Sequence, residues 1–383
     1  MKTSAFVYPW DVNGDPEAAG RIAALGAQQV TLASAYHSTR ALTPRHPAHR
    51  IVTAEHAAVL YPPGERWQGR ELRPYAAGAW APGDAFGTAA GALADAGLEV
   101  HTWVVLAHNS RMGAEHPDTS VVNAYGDRYP WAPCIAQPAT RSYLVELAAE
   151  AAVRPGARGT ELESCGWYGL AHLHAHDKTA GVGLGDGGQY LMSLCFCGSC
   201  REGYTESGLD PDALATAVRG ALEPLWRGET PPDTPLDKLL SAELLDATLQ
   251  FRTSVARSLQ EEAVAAVRAA APAGFQVLLH ADPVRYHCGA NAGVDPAHIL
   301  GVADGVVVPC TGGAELLAPF AAVGAPDAVL AANFTVVSGM GGAPARLRED
   351  AARAAELGAT ELRLYHAGLA SDGDLELVRD ALR

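Results

Sequence analysis

The sequence has no run of the roughly 18–20 apolar residues that a membrane-spanning helix needs, so a helical span is excluded. Positive charge is scarce. The 28 Lys and Arg stand against 43 Asp and Glu, giving a net charge of −15 and a pI near 5.3. Such a surface repels phosphate backbones and anionic lipid, so neither nucleic acid nor a membrane surface is expected as a partner. The opening stretch Met1-Lys2-Thr3-Ser4-Ala5-Phe6-Val7-Tyr8 has no apolar leader or cleavage site. It reads as a first strand, and the expected compartment is the cytoplasm. Seven cysteines in so long a chain do not make a disulfide framework. No internal repeat, heptad run or Walker pattern occurs. No Gly-x-Gly-x-x-Gly follows the first strand, which argues against a doubly wound dinucleotide-binding sheet.

What is present is apolar and alternating. The chain is 48% hydrophobic and 19% charged, enough for a large core. Short β-branched runs recur at residues 4–8, 29–36, 99–106, 160–164, 275–280, 305–309, 328–333 and 361–366. Alanine-rich helical stretches separate them, at 17–25, 85–96, 140–152, 236–270, 314–322, 344–357 and 375–382. Thr234 reads as the cap of the long helix, with Pro235 at its first helical position. Eight strands each followed by helix predict an α/β fold, a (β/α)8 TIM barrel formed as one domain over residues 1–383. Long insertions interrupt it after strands 2 and 4, at 40–83 and 168–235.

In such barrels the chemistry sits at the carboxyl ends of the strands. Those ends carry Trp10, Tyr36, His37, His108, Asn109, Arg111, Glu163, Trp167, His280, Asp282 and His366. Glu163 stands out. It ends the fourth strand, alternation points it the same way as Glu161, and the neighbouring Trp167 and Tyr168 suit a general acid. The competing role is an ion pair with Arg111 or Lys178. Tyr36, His37, His108, Asn109, Arg111, His280 and His366 are the candidates to bind hydroxyls, with Trp10 and Trp167 as apolar faces. Asp282 is the best second carboxylate. The glycine-rich loops at 311–313 and 338–342 precede helices, a weak phosphate-binding signal. His172, His174 and His176 form a further cluster, read either as a metal site or as a polar active-site loop.

Cys195-Phe196-Cys197-Gly198-Ser199-Cys200 puts three thiols in six residues. Thiols this close on a turn suit a tetrahedral metal, and a closed thiolate site is structural rather than catalytic. The fourth ligand could be Cys134, Cys165 or a nearby histidine.

Three elements together resemble the family 42 glycoside hydrolases, the β-galactosidase-type barrels of clan A. They are Cys134 in Pro133-Cys134-Ile135-Ala136-Gln137, Glu163 at the end of strand four, and the Cys195-Phe196-Cys197-Gly198-Ser199-Cys200 turn. The likeness covers about residues 98–204. The segments Tyr36-His37-Ser38 and His108-Asn109-Ser110-Arg111 also look like those of glycosyl-hydrolase-like barrel proteins. The resemblance implies a structural Zn2+ on Cys134, Cys195, Cys197 and Cys200, and Glu163 as acid/base. It implies a small-molecule or carbohydrate substrate and a homo-oligomer. The sequence departs from the family in two places. Leu162 replaces the Asn before the acid/base, and strand seven ends on Asn333 where the family has a Glu nucleophile. Asp282 is the replacement carboxylate.

The leading expectation is a glycoside hydrolase-like enzyme working by carboxylate acid/base catalysis on a small glycoside or sugar-derived metabolite. The alternatives are a histidine- or metal-dependent lyase or isomerase, and a non-catalytic carbohydrate-binding barrel.

Overall fold

A computed structural model describes residues 1–171 and 177–383. Eight parallel strands carry the expected pattern: β1 (Lys2–Val7), β2 (Gln29–Tyr36), β3 (Glu99–Val105), β4 (Gly159–Glu163), β5 (Gln276–Asp282), β6 (Gly305–Pro309), β7 (Val329–Thr335) and β8 (Glu361–Tyr365). Each pairs with the next, and β8 pairs back on β1, so the sheet closes. Closure removes every sheet edge, and the strands are buried along nearly their whole length. That is why they read as continuous apolar runs rather than as alternating ones. Among the described residues no helix is long and apolar enough to cross a membrane.

The helical layer is α1 (Ala18–Ala23), α2 (Ala85–Asp95), α3 (Pro138–Ala152), α4 (Ala242–Ala270), α5 (Pro296–Val302), α6 (Ala318–Ala321), α7 (Leu347–Glu356) and α8 (Asp372–Leu382). Helix α5 was not expected from the sequence. It opens on Asp295-Pro296, with the Asp295 carboxylate accepting from the His298 amide at 2.9 Å. The same Asp-Pro start opens a helix at Pro211–Trp226, inside the second insertion. The long helix also differs from expectation. Residues Leu236–Leu239 form one turn with Pro235 as its cap, and α4 restarts behind Ser241, whose hydroxyl accepts from the Leu244 amide. Extended backbone at Leu240 separates the two.

The two insertions sit after β2 and β4. The first forms an antiparallel hairpin, Thr39–Leu42 with Ile51–Ala54, then adds Ala58–Val59 antiparallel to β2. Its Val52, Ala54, Leu60 and Ala81 pack in one buried cluster with Tyr8, Trp10, Tyr36 and Trp103 at the carboxyl end of the barrel. Its Arg45 reaches across to the carbonyls of Ala367, Gly368 and Ala370 after β8.

Strand registers fix what faces inward, because paired residues on neighbouring parallel strands share a face. Trp103 pairs with Glu161, Glu161 with Leu278, and Asn333 with Arg363. Inside the barrel Arg363 Nε donates to Glu161 Oε1 at 2.6 Å and Arg363 Nη1 to Glu361 Oε2 at 2.8 Å. Thr31 Oγ1 donates to the same Glu161 oxygen at 3.1 Å. Burial alone would raise the Glu161 carboxyl; Arg363, then His280, outweighs it and holds the group at about 2. Desolvation offsets most of the attraction in a buried ion cluster of this kind, so it adds little net stability.

Candidate active site and a four-cysteine cluster

Glu163 is the last residue of β4, inward-facing and 3% exposed. Trp103 Nε1, one strand away, donates to its Oε2 at 2.7 Å. His280 Nδ1 lies 4.0 Å from the same oxygen. The Arg111 ion pair considered from the sequence does not form. Arg111 faces outward, bonded to Glu115 at 2.9 Å and stacked over Tyr75.

Around Glu163 the mouth is built of rings. Tyr8 hydroxyl donates to the Tyr36 hydroxyl at 2.9 Å and lies 3.0 Å from His366 Nδ1. Trp10 stacks on Tyr8 with centroids 4.6 Å apart. Tyr36 stacks on His37 at 4.1 Å, His37 contacts His108 at 4.7 Å, and His108 stacks on Tyr168 at 4.6 Å. Burial in this setting disfavours charge. It lowers the His37 imidazole and pushes His366 down to about 3. It raises the Tyr36, Tyr168 and Tyr365 phenols, with the Glu163 carboxylate adding to each. His37 Nδ1 donates to the Ser38 carbonyl at 2.8 Å, which leaves its Nε2 as an acceptor. Asp11, in the short helical turn Pro9–Val12 that follows β1, is raised by burial to about 7.

Among the described residues two other than glycine have positive φ: Ser164 at 56° and His366 at 62°. They follow β4 and β8 directly, one on each side of the mouth. Such a conformation costs about 1–2 kcal/mol for an L-residue, and strain of this kind collects at functional sites.

Asp282 ends β5 with both oxygens engaged. Oδ1 accepts from the Val284 amide at 2.8 Å, and Oδ2 lies 2.9 Å from His287 Nδ1. The Asp282 hydrogen bond raises the His287 imidazole, with Asp186 adding to it. Asp282 lines a cleft of about 290 Å³ with Asp186, Tyr286, His287, Cys288 and Asn291, walled on one side by the second insertion. A separate cleft of about 360 Å³ lies beside the loops after β6 and β7.

Three of the residues read as substrate-binding do other work. Asn109 caps a short helix, its side chain accepting from the Met112 amide at 3.0 Å. Arg111 sits on that helix, facing away from Glu163. Trp167 donates to the Arg252 carbonyl at 2.8 Å and packs under the Arg252 guanidinium, on the α4 side. His287 was not singled out in the sequence, whereas Tyr8 and Trp103 are among the aromatics that it places near the mouth. For Trp103 the signal was there, since alternation along β3 places it inward. His172, His174 and His176 lie outside the described residues.

The cysteine turn meets Cys134 outside the barrel, at the start of α3. Cys134 Sγ lies 3.7 Å from Cys195 Sγ, 3.6 Å from Cys197 Sγ and 3.5 Å from Cys200 Sγ. All four sulfurs fall within 4.8 Å of one another, and all four residues are buried, so the group could hold a metal ion. Cys195 Sγ also accepts from the amides of Val122 and Cys197, at 3.4 and 3.5 Å. Cys197 is the N-cap of the helix Gly198–Glu206, and Cys134, foremost among its neighbours, pulls the Cys197 thiol far down. Cys165, the other sequence candidate, is not in the cluster.

No family model matches the chain, and no curated protein sequence matches it. Solved structures do. An α-L-fucosidase isoenzyme 2 from Paenibacillus thiaminolyticus aligns over 100% of this chain and 48% of its own, at 13% identity and a TM-score of 0.58. A β-galactosidase from Bacillus circulans sp. alkalophilus aligns over 100% of this chain and 55% of its own, at 11% identity and a TM-score of 0.56. The catalytic domain of β-amylase from Paenibacillus polymyxa aligns over 99% of this chain and 97% of its own, at 12% identity and a TM-score of 0.58. The chain thus spans about half the length of the first two. At these identities the likeness establishes the barrel fold.

Proposed function

We propose that the chain is a glycosidase-like hydrolase acting on a small glycoside or sugar-derived metabolite, with Glu163 as general acid/base. The observation that carries this is the Glu163 carboxyl itself. It is buried at the carboxyl end of β4, held by Trp103, in a mouth of rings suited to sugar C–H faces. The named fucosidase, β-galactosidase and β-amylase share the fold and support a carbohydrate substrate. Asp282, oriented by His287, is the second carboxylate in this reading, acting on water or on the anomeric carbon. Incubation of the full chain with a panel of 4-nitrophenyl glycosides of neutral hexoses, pentoses and fucose tests it. Release of nitrophenol from at least one member, abolished in E163Q, is the expected result. No release from any member, with the chain folded, counts against hydrolysis.

One observation favours a second reading, a histidine-based lyase or isomerase. Strand β7 carries Asn333 where the family has a Glu, its buried Oδ1 has no partner among the described residues, and His37 keeps a neutral Nε2. Elimination or epimerisation of a sugar-derived substrate, lost in H37Q and retained in E163Q, would select it.

For the cysteine group we infer structural zinc. Zn–S bonds of about 2.3 Å in a tetrahedron place sulfurs about 3.8 Å apart, and the Cys134 distances of 3.5–3.7 Å fit that edge. With four protein ligands no position is open to substrate. The site would tie the second insertion to the start of α3.

A further inference from the structure

Directly beneath Glu163, His280 stands between two buried carboxylates. Its Nδ1 faces Glu163 Oε2 at 4.0 Å and its Nε2 faces Glu161 Oε2 at 3.4 Å. His280 is 2% exposed and Glu161 fully buried. Among the described residues neither His280 Nε2 nor Glu161 Oε2 has a hydrogen-bond partner elsewhere, so each is the natural partner of the other. The second Glu161 oxygen is taken by Arg363 and Thr31, and Arg363 reaches on to Glu361. The chain of contacts runs from the barrel interior to the mouth: Glu361, Arg363, Glu161, His280, Glu163.

We infer that His280 is a positioning residue that couples the protonation of Glu163 to this buried ion cluster, rather than a ligand for substrate hydroxyls. Two carboxylates against one guanidinium leave the cluster with one net negative charge. That charge sits in a low-dielectric interior, where it is felt strongly. An ionised Glu163 would add a second negative charge close by. His280 is the group that relieves this. With both nitrogens protonated, the imidazolium sits between the two carboxylates. The other titratable groups that face this column are Tyr365 on β8, His101 and Glu99 on β3, and Tyr36, His37 and Tyr168 across the mouth. From β1, Phe6 contributes only a ring edge 5.7 Å from the imidazole.

The catalytic consequence rests on the proposed role of Glu163; the coupling does not, and it is tested on the carboxyl directly. The full chain is labelled with carbon-13 in the glutamate carboxyls, and the Glu163 resonance is assigned as the one missing from E163Q. H280F keeps a ring in place and removes both nitrogens. E161Q keeps the shape of Glu161 and removes its charge. The Glu163 titration midpoint is expected to rise by about one pH unit or more in H280F, a tenfold or larger change in proton affinity. It is expected to fall in E161Q, where His280 remains and the cluster is neutral. H280N, which restores a polar atom near the Nδ1 position, is expected to fall between wild type and H280F. Equal midpoints in wild type, H280F and E161Q would overturn the coupling, as would shifts of the same sign in the two variants. If a glycoside substrate is turned over, the basic limb of the kcat/KM profile moves with the resonance. If none is turned over, the proposed function fails and the titration still decides the coupling.

Discussion

In E163Q, kcat/KM for glycosides with poor leaving groups is expected to fall about a hundred- to ten-thousandfold, the usual worth of a positioned general acid. Gln keeps the shape of the side chain and still offers an oxygen to Trp103 Nε1, so the mouth should keep its geometry. What it loses is the transferable proton. The affinity for an unreactive sugar analogue, measured by calorimetry, should therefore change little while turnover collapses. Leaving groups separate this from a general loss of packing. A dinitrophenolate departs without protonation, so the deficit should shrink steeply for dinitrophenyl glycosides. A deficit of the same size for every leaving group would mean that Glu163 acts only through structure.

The second large effect concerns the four cysteines. The full chain should contain one zinc, and C197S should lower Tm by on the order of 10 °C, because metal binding energy at a closed site is folding energy. The substitution leaves three buried sulfurs around a ligand that zinc binds poorly, at the N-cap that starts the helix Gly198–Glu206. Per folded molecule, turnover should be nearly unchanged below the transition, since the cluster lies outside the barrel, beside α3. Metal content by mass spectrometry and a thermal melt check both halves. Wild-type protein that binds no metal and melts like C197S would remove the site from the account.

The barrel was legible because its strands are short β-branched runs between alanine-rich helices, and closure buries them on both faces. Glu163 was legible from its place at a strand end and from alternation with Glu161. The partner cysteine was open between Cys134, Cys165 and histidine by spacing alone, and the resemblance pointed to the residue that the structure brings within 3.7 Å of the other three. What misled was the rule that polar residues at strand ends face the mouth. Asn109 is used as a cap, a role its position three residues before Met112 already allows. Trp167 turns outward because Ser164 is left-handed, and alternation stops there. Several helices were missed, two of which start on Asp-Pro: Pro296–Val302 is too short to show a period, whereas Pro211–Trp226 buries Leu214, Val218, Leu222 and Leu225 at helical spacing, a signal that the sequence did carry. The roles of Trp103 and His280 depend on strand register and cross-barrel distance, which sequence spacing does not carry.

A reaction at the mouth around Glu163 requires substrate to sit against that carboxyl. A crystal structure of the chain with an iminosugar, whose ring nitrogen mimics the charge developing in glycoside cleavage, tests it most directly. The ring is expected to sit against Tyr36, His37 and His366, with an oxygen or nitrogen of the ligand within hydrogen-bond distance of the Glu163 carboxyl. An iminosugar bound instead in the cleft beside the β6 and β7 loops, with Glu163 untouched, would contradict it.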